Sequence, residues 1–389
     1  MPEQSAIAYL DHAASTPMRP EAIEAMTPYL AEHPGNPSGA HAAARATKTA
    51  LEAARESVAA VCGCRPDEVV FTGGGSEADN LAVKGAAWAR RGRAPELDGV
   101  VTSGIEHKAV LGACDRLERE GFRVVRAPAG PDGVIDLDVL GRALDERTAV
   151  VSVMSVNNET GVRQPLADIA RLVHERAPRA VLHTDAVQAP QWLDVAEYTR
   201  DVALIALSGH KFGGPKGVGA LIVRDGTDLV PLIEGGGHEQ GRRAGTQNVA
   251  GIVAFATALR ITHERRAEET ARIAALRDAL EHGLSTKVPG FGVNGASALR
   301  VAGLLHCAFD GVEAETMLIA LDQHGVMAAS GSACSSGAID PSHVLLAMGM
   351  PRERALASVR FSLGYASTAA DVETALAVVP EVVAKLRAS

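Results

Sequence analysis

Lys211 sits in Ser208-Gly209-His210-Lys211, between an apolar run and the glycine-rich Phe212-Gly-Gly-Pro-Lys-Gly. A lysine so placed can be held against a cofactor, and its amine can form the Schiff base that a pyridoxal aldehyde requires. The competing fate is a solvated surface lysine. Asp185 shifts the balance, because it ends the preceding apolar run and neighbouring strands can bring it beside Lys211. A buried aspartate is the usual partner of a pyridinium nitrogen, although strand-end aspartates also cap the next helix. Thr72-Gly73-Gly74-Gly75-Ser76-Glu77 joins a strand to an alanine-rich helix, so its backbone N–H groups and the Ser76 hydroxyl can cradle a phosphate. A dinucleotide fold uses similar turns, and the spacing here is not G-x-G-x-x-G. His107, in Ser-Gly-Ile-Glu-His-Lys-Ala, can stack on a planar cofactor, move a proton or merely open a helix. Asn158 and Gln188 are strand-end amides able to hydrogen-bond a ring hydroxyl, or to serve as turn residues.

Cys334 is a different kind of residue. A free cysteine is usually a small buried hydrophobe, yet this one lies in Ala-Ala-Ser-Gly-Ser-Ala-Cys-Ser-Ser-Gly-Ala-Ile-Asp-Pro, a small, polar, glycine-containing stretch expected to form a mobile loop. An exposed, movable thiolate can attack sulfur and carry it away. Cys62, Cys64, Cys114 and Cys307 read as structural. Cys62 and Cys64 lack the second nearby pair that a zinc site needs, so no metal is expected.

These residues need a scaffold. Apolar runs at 68–71, 99–102, 123–126, 148–153, 180–183, 202–207 and 219–223 alternate with helical patterns, which predicts a seven-stranded, mostly parallel α/β sheet with helices on both faces. Several runs turn polar at once, and open α/β sheets bind ligands at those carboxyl ends. A helical stretch over 249–283 leads to a smaller α/β unit, with strands at 304–309 and near 358–362 and a helix from Glu313. The expected organisation is a large cofactor-binding domain over 15–260, and a small domain of 1–14 and 261–389 that carries Cys334.

The bulk properties fit. A chain of 389 residues, 47% hydrophobic and 22% charged, can bury a substantial core. Its charge of −9, without a basic block, argues against direct nucleic-acid binding. The absence of a long apolar run and of a leader pattern, with an odd count of five cysteines, points to a cytoplasmic protein off the membrane.

Together the motifs resemble the cysteine desulfurases, fold-type I pyridoxal-phosphate enzymes of the class-V aminotransferase family. The likeness runs from Tyr9-Leu-Asp-His-Ala-Ala-Ser-Thr-Pro to Arg360-Phe-Ser-Leu-Gly and includes Ser-Gly-His-Lys, Asp-Ala-x-Gln, Glu-His-Lys-Ala, Val-Asn-Asn-Glu and Ser-Gly-Ser-Ala-Cys. The resemblance implies pyridoxal phosphate bound to Lys211, Asp185 on the ring nitrogen, His107 over the ring, and Gln188 and Asn158 at its hydroxyl side. It implies Gly75, Ser76, Ser208 and His210 at the phosphate, Thr246 reaching the phosphate of a partner subunit in a homodimer, and Arg360 on the substrate carboxylate. Glycine at 75 replaces an alanine common among relatives, and Ser76 a threonine. The long cysteine loop is similar to the subgroup whose catalytic cysteine moves.

On that resemblance L-cysteine is the substrate, alanine is released, and Cys334 keeps a persulfide. An acceptor protein of iron–sulfur assembly, tRNA thiolation or DNA sulfur modification then takes the sulfur. A selenocysteine lyase or another class-V enzyme is the alternative.

Overall fold

Runs of valine, isoleucine and leucine form the central sheet, and the computed structural model describes residues 7–331 and 340–388. Seven strands, β2 (Val69–Thr72), β3 (Gly99–Ser103), β4 (Arg123–Ala127), β5 (Thr148–Ser152), β6 (Val181–Asp185), β7 (Leu204–Ser208) and β8 (Gly219–Val223), lie in the order β2-β8-β7-β6-β5-β3-β4. The inner strands β3, β5, β6, β7 and β8 are buried along their whole length. That is why they read as unbroken apolar runs, whereas the edge strand β4 carries exposed Arg123 and Arg126.

One strand departs from the parallel expectation. β8 is antiparallel to both β7 and β2. An apolar run carries no sign of its direction, so only the connection reveals it: the tight Gly213–Gly217 region returns the chain directly from β7. Because β2 reverses β8 in turn, β2 runs with β7 and delivers its glycine turn to the same edge as Asp185 and Lys211. Gly219 starts β8 there, and a Cβ on it would lie 2.6 Å from the Gly74 carbonyl carbon, so glycine is needed for the two segments to touch.

Helix Val249–Lys287 runs unbroken for 39 residues and packs against helices Ala42–Cys62 and Ala369–Ala388. Beyond it, β9 (Phe291–Val293), β10 (Leu304–Phe309) and β12 (Ser358–Ser362) make an antiparallel sheet. The N-terminal β1 (Ala8–Tyr9) pairs with β11 (Val326–Met327), and Asp11 bridges Ser362. Ala329 bridges Arg360, which brings the segment entering the cysteine motif alongside β12. Among the described residues no helix is long and apolar enough to cross a membrane.

Candidate active site

The carboxyl ends of β2, β3, β6 and β7, the N-terminal segment and β12 enclose a cavity of about 710 Å³. This volume suits a cofactor together with a small substrate. Gly75, Ser76, His107, Asn158, Asp185, Gln188, Ser208, His210, Lys211 and Arg360 all line it. Thr246 does not; it is exposed on the loop before helix Val249–Lys287. Cys334 lies outside the described residues.

At the floor, Asp185 is the last residue of β6 and is 5% exposed. Its Oδ1 accepts the Val187 N–H at 2.9 Å. Burial raises its pKa, while His107 and Lys211 oppose the rise. Lys211 follows β7 in a single 3₁₀ turn, and its Nζ donates to the carbonyls of Ala13 at 2.6 Å and Ala14 at 3.0 Å. Burial, reinforced by Arg360, brings the Lys211 amine down to about 8. Near neutral pH it therefore yields a nucleophilic amine far more readily than an exposed lysine does.

His107 caps helix Lys108–Arg119, its Nδ1 accepting the Ala109 N–H at 3.2 Å. The same histidine therefore opens the helix and lines the cavity. Gln188 donates its amide to the Ala13 carbonyl at 2.9 Å, and its buried Oε1 has no partner among the described residues. His210 stays neutral at physiological pH, since burial and then Lys211 and Lys216 lower it to about 4; its Nδ1 lies 3.3 Å from the Ser15 hydroxyl.

The glycine turn is a backbone cradle. Gly74 has φ of 149°, a conformation disfavoured for residues with a side chain. A Cβ on Gly75 would stand 2.8 Å from Val187 Cγ2, which accounts for glycine rather than alanine here. Glu77 pins the turn by accepting the Gly73 N–H at 2.8 Å and pairing with Arg243 at 2.9 Å. Opposite, Arg360 is 4% exposed; Nη2 pairs with Asp11 at 2.8 Å, Nη1 donates to the Asn158 carbonyl at 2.8 Å, and the buried Nε has no partner among the described residues.

The donor set can be tested against pyridoxal phosphate. A carboxylate for the ring nitrogen, a softened lysine for the aldehyde, an unpartnered amide oxygen for the ring hydroxyl and a glycine cradle for the phosphate all face one cavity. They fit the group. The other thiols are unsuited to nucleophilic work, since burial raises the pKa of Cys62, Cys64, Cys114 and Cys307.

Residues 8–375 match the family model described as "Aminotransferase class-V". The chain belongs to the class-V aminotransferase family. It is 43% identical to an "IscS-like cysteine desulfurase" of Mycobacterium tuberculosis (strain ATCC 25618 / H37Rv), over 98% of this chain and 97% of the relative. A solved "NIFS-like protein" superposes with a TM-score of 0.91 at 34% identity, covering 97% of this chain and all of that one. A second structure, "SspA in complex with cysteine", gives a TM-score of 0.80 at 34% identity, over 93% of this chain and 100% of that one.

Some cavity residues carry no sequence signal that singles them out. Asp11 and Ser15 lie within the N-terminal motif, but nothing in it assigns them contacts. Asp79 and Glu106 look like ordinary helix and loop acids, although the first lines the cavity and both are buried. Asp79 follows Ser76 by three residues, one helical turn, which is the one cue that places it on the cavity side.

Proposed function

We propose that the protein is a cysteine desulfurase that binds pyridoxal phosphate in this cavity and transfers the sulfur of L-cysteine to Cys334. The observation that carries this reading is the convergence of Lys211, Asp185 and Arg360 on one cavity, in a chain whose family includes desulfurases. When bound, the cofactor supplies an electron sink for cleaving bonds at the substrate's α and β carbons.

The chain's own residues do the rest. Asp185 would hold the proton of the ring nitrogen, and His107 would lie against the ring. Gln188 and Asn158 orient the hydroxyl side, while Gly75, Ser76, Ser208 and His210 hold the phosphate. Arg360 grips the substrate carboxylate, for which its planar fork is suited. With the cofactor bound, the Lys211 amine would take the proton from the substrate Cα and return it to Cα before alanine leaves. The Cys334 thiolate attacks the substrate sulfur: the Cβ–S bond breaks, an S–S bond forms, and Cβ gains a proton as alanine leaves. Cysteine and thiol thus become alanine and persulfide without an added oxidant.

The same reading assigns residues 15–260 to a large domain, with 1–14 and 261–389 forming a small one. It also assigns a cytoplasmic homodimer in which Thr246 completes the partner's phosphate site. The sulfur acceptor is a protein of iron–sulfur assembly, tRNA thiolation or DNA sulfur modification. Alanine and sulfide formed from L-cysteine with a reductant present test the core claim. The expected result is activity in the wild type, none in Lys211→Ala, and retained cofactor absorbance with collapsed sulfur release in Cys334→Ser. Full activity of Cys334→Ser, or turnover of selenocysteine alone, overturns it.

A further inference from the structure

The cavity floor holds more acid than one cationic ring nitrogen can use. Asp79, on helix Gly75–Asn80, is 1% exposed, and its Oδ1 has no hydrogen-bond partner among the described residues. One oxygen of Asp79, one of Asp185 and a ring nitrogen of His107 all lie within 4.8 Å of one another. From β6, His183 brings Nε2 to 3.5 Å from Asp79 Oδ1 and sets Nδ1 2.8 Å from the Ser152 hydroxyl. Glu106 completes the cluster from the loop after β3. Its Oε1 accepts from the Ser103 hydroxyl and, at 2.9 Å, from the Met154 N–H, while Oε2 is buried without a partner among the described residues.

Neighbouring buried carboxyls do not all ionise together; they share protons. The surroundings decide which one keeps the charge. Asp185 accepts a backbone N–H and is attracted to both His107 and Lys211. Burial raises the Asp79 carboxyl well above the usual range, Asp185 and Glu106 repel its anion further, and His183 offers it no positive charge because burial lowers that imidazole to about 3.

We propose that Asp79 is a positioning residue: it stays a neutral carboxylic acid beside Asp185, its proton turned to His183 Nε2, and so confines the floor's negative charge to the Asp185 carboxylate. His183 then donates Nδ1–H to the Ser152 oxygen, which closes a chain of neutral groups behind the ring nitrogen. The role in cofactor binding rests on the desulfurase reading above; the protonation state does not.

The test therefore has two arms. In the cofactor-free protein, melting temperature is followed against pH for the wild type and Asp79→Asn. A carboxyl whose folded pKa is raised contributes stability that is lost as pH rises through that folded value. From the ordinary carboxylate range up to that raised value, the wild type should therefore lose stability with rising pH more steeply than Asp79→Asn, whose carboxamide mimics the neutral acid. Equal slopes, or failure of Asp79→Asn to fold, overturn the proposal. In the second arm pyridoxal phosphate is added. Asp79→Ala should bind about tenfold more weakly, one pKa unit's equivalent, Asp79→Asn should recover most of that loss with the wild-type absorbance band, and Asp185→Asn should shift the band. A shift in Asp79→Asn like that of Asp185→Asn places the charge on Asp79 and overturns the proposal. If the wild type itself takes up no cofactor, the functional reading fails while the melting comparison still decides Asp79.

Discussion

Arg360 and Asp11, 349 residues apart in sequence, form a 2.8 Å ion pair that joins β12 to the N-terminal segment at the cavity wall. With Nη1 held by the Asn158 carbonyl, the guanidinium is fixed at two points in the cavity lining. A lysine at this position would keep the charge but lose the fork. Arg360→Lys is therefore expected to raise KM for L-cysteine by roughly 10- to 100-fold, the equivalent of a charged hydrogen bond worth about 1.5–3 kcal/mol, while the cofactor absorbance persists. Asp11→Asn, which frees Nη2 without removing the guanidinium, should give a smaller rise. Steady-state kinetics on both variants check the order.

Lys211 sets a pH dependence of its own. Its amine is lowered to about 8, so the neutral, reactive form increases as pH rises through that value. The rate of pyridoxal phosphate incorporation into cofactor-free protein should climb toward alkaline pH and level off above about 8. The sign for stability is the same: the folded state releases its proton before the unfolded chain does, so the cost of burying the ammonium fades as pH rises between the two values. Stopped-flow absorbance against pH reads the rate, and a flat profile would contradict the assignment.

The sequence and the fold agree best where burial is complete. The run at 219–223 and the strands at 304–309 and 358–362 coincide with β8, β10 and β12, because residues buried on both faces leave an uninterrupted apolar signature. The polar residue ending each run marked the edge that carries the cavity, which is why Asp185, Ser208 and Lys211 were legible as cavity residues. Direction was not legible in β8. Nor were β1, β9 and β11, which are too short for a period and are specified by their partners rather than by their own residues. Asp11 and Asp79 escaped for a related reason: an acid's role depends on what the fold places opposite it.

Gly75 makes a sharp packing test. Alanine there would put a methyl 2.8 Å from Val187 Cγ2 and 3.2 Å from Ser208 Cβ. Val187 is β-branched and stiff about χ1, so it yields poorly. Gly75→Ala should lower stability by about 1–3 kcal/mol, the usual cost of overpacking, and weaken cofactor binding because Ser208 is displaced as well. Adding Val187→Ala should recover part of both losses. Melting curves and cofactor titration of the single and double variants reveal the coupling; independent, additive losses would refute the clash.

Arg55 and Glu239 form a buried pair below the same turn. Both Nη atoms of Arg55 bond the two oxygens of Glu239, at 2.8 and 2.9 Å, and one oxygen also accepts the Phe71 N–H at 2.9 Å. Glu239 and the following Gln240 hold positive φ angles of 45° and 59°, a conformation that costs residues other than glycine. The ion pair is what keeps the strained turn seated against β2, and through it the loop that carries Arg243 and Thr246. Removing the cation leaves a buried carboxylate unpaired, so Arg55→Met should destabilise the fold by about 3–5 kcal/mol. Gln240→Gly removes the backbone cost at an exposed position while the pair stays intact, and should stabilise by up to about 1 kcal/mol. Denaturant unfolding of the two variants should therefore move the midpoint in opposite directions. A loss of stability in Gln240→Gly would mean that the turn is not strained, and that the Arg55–Glu239 pair holds a relaxed loop.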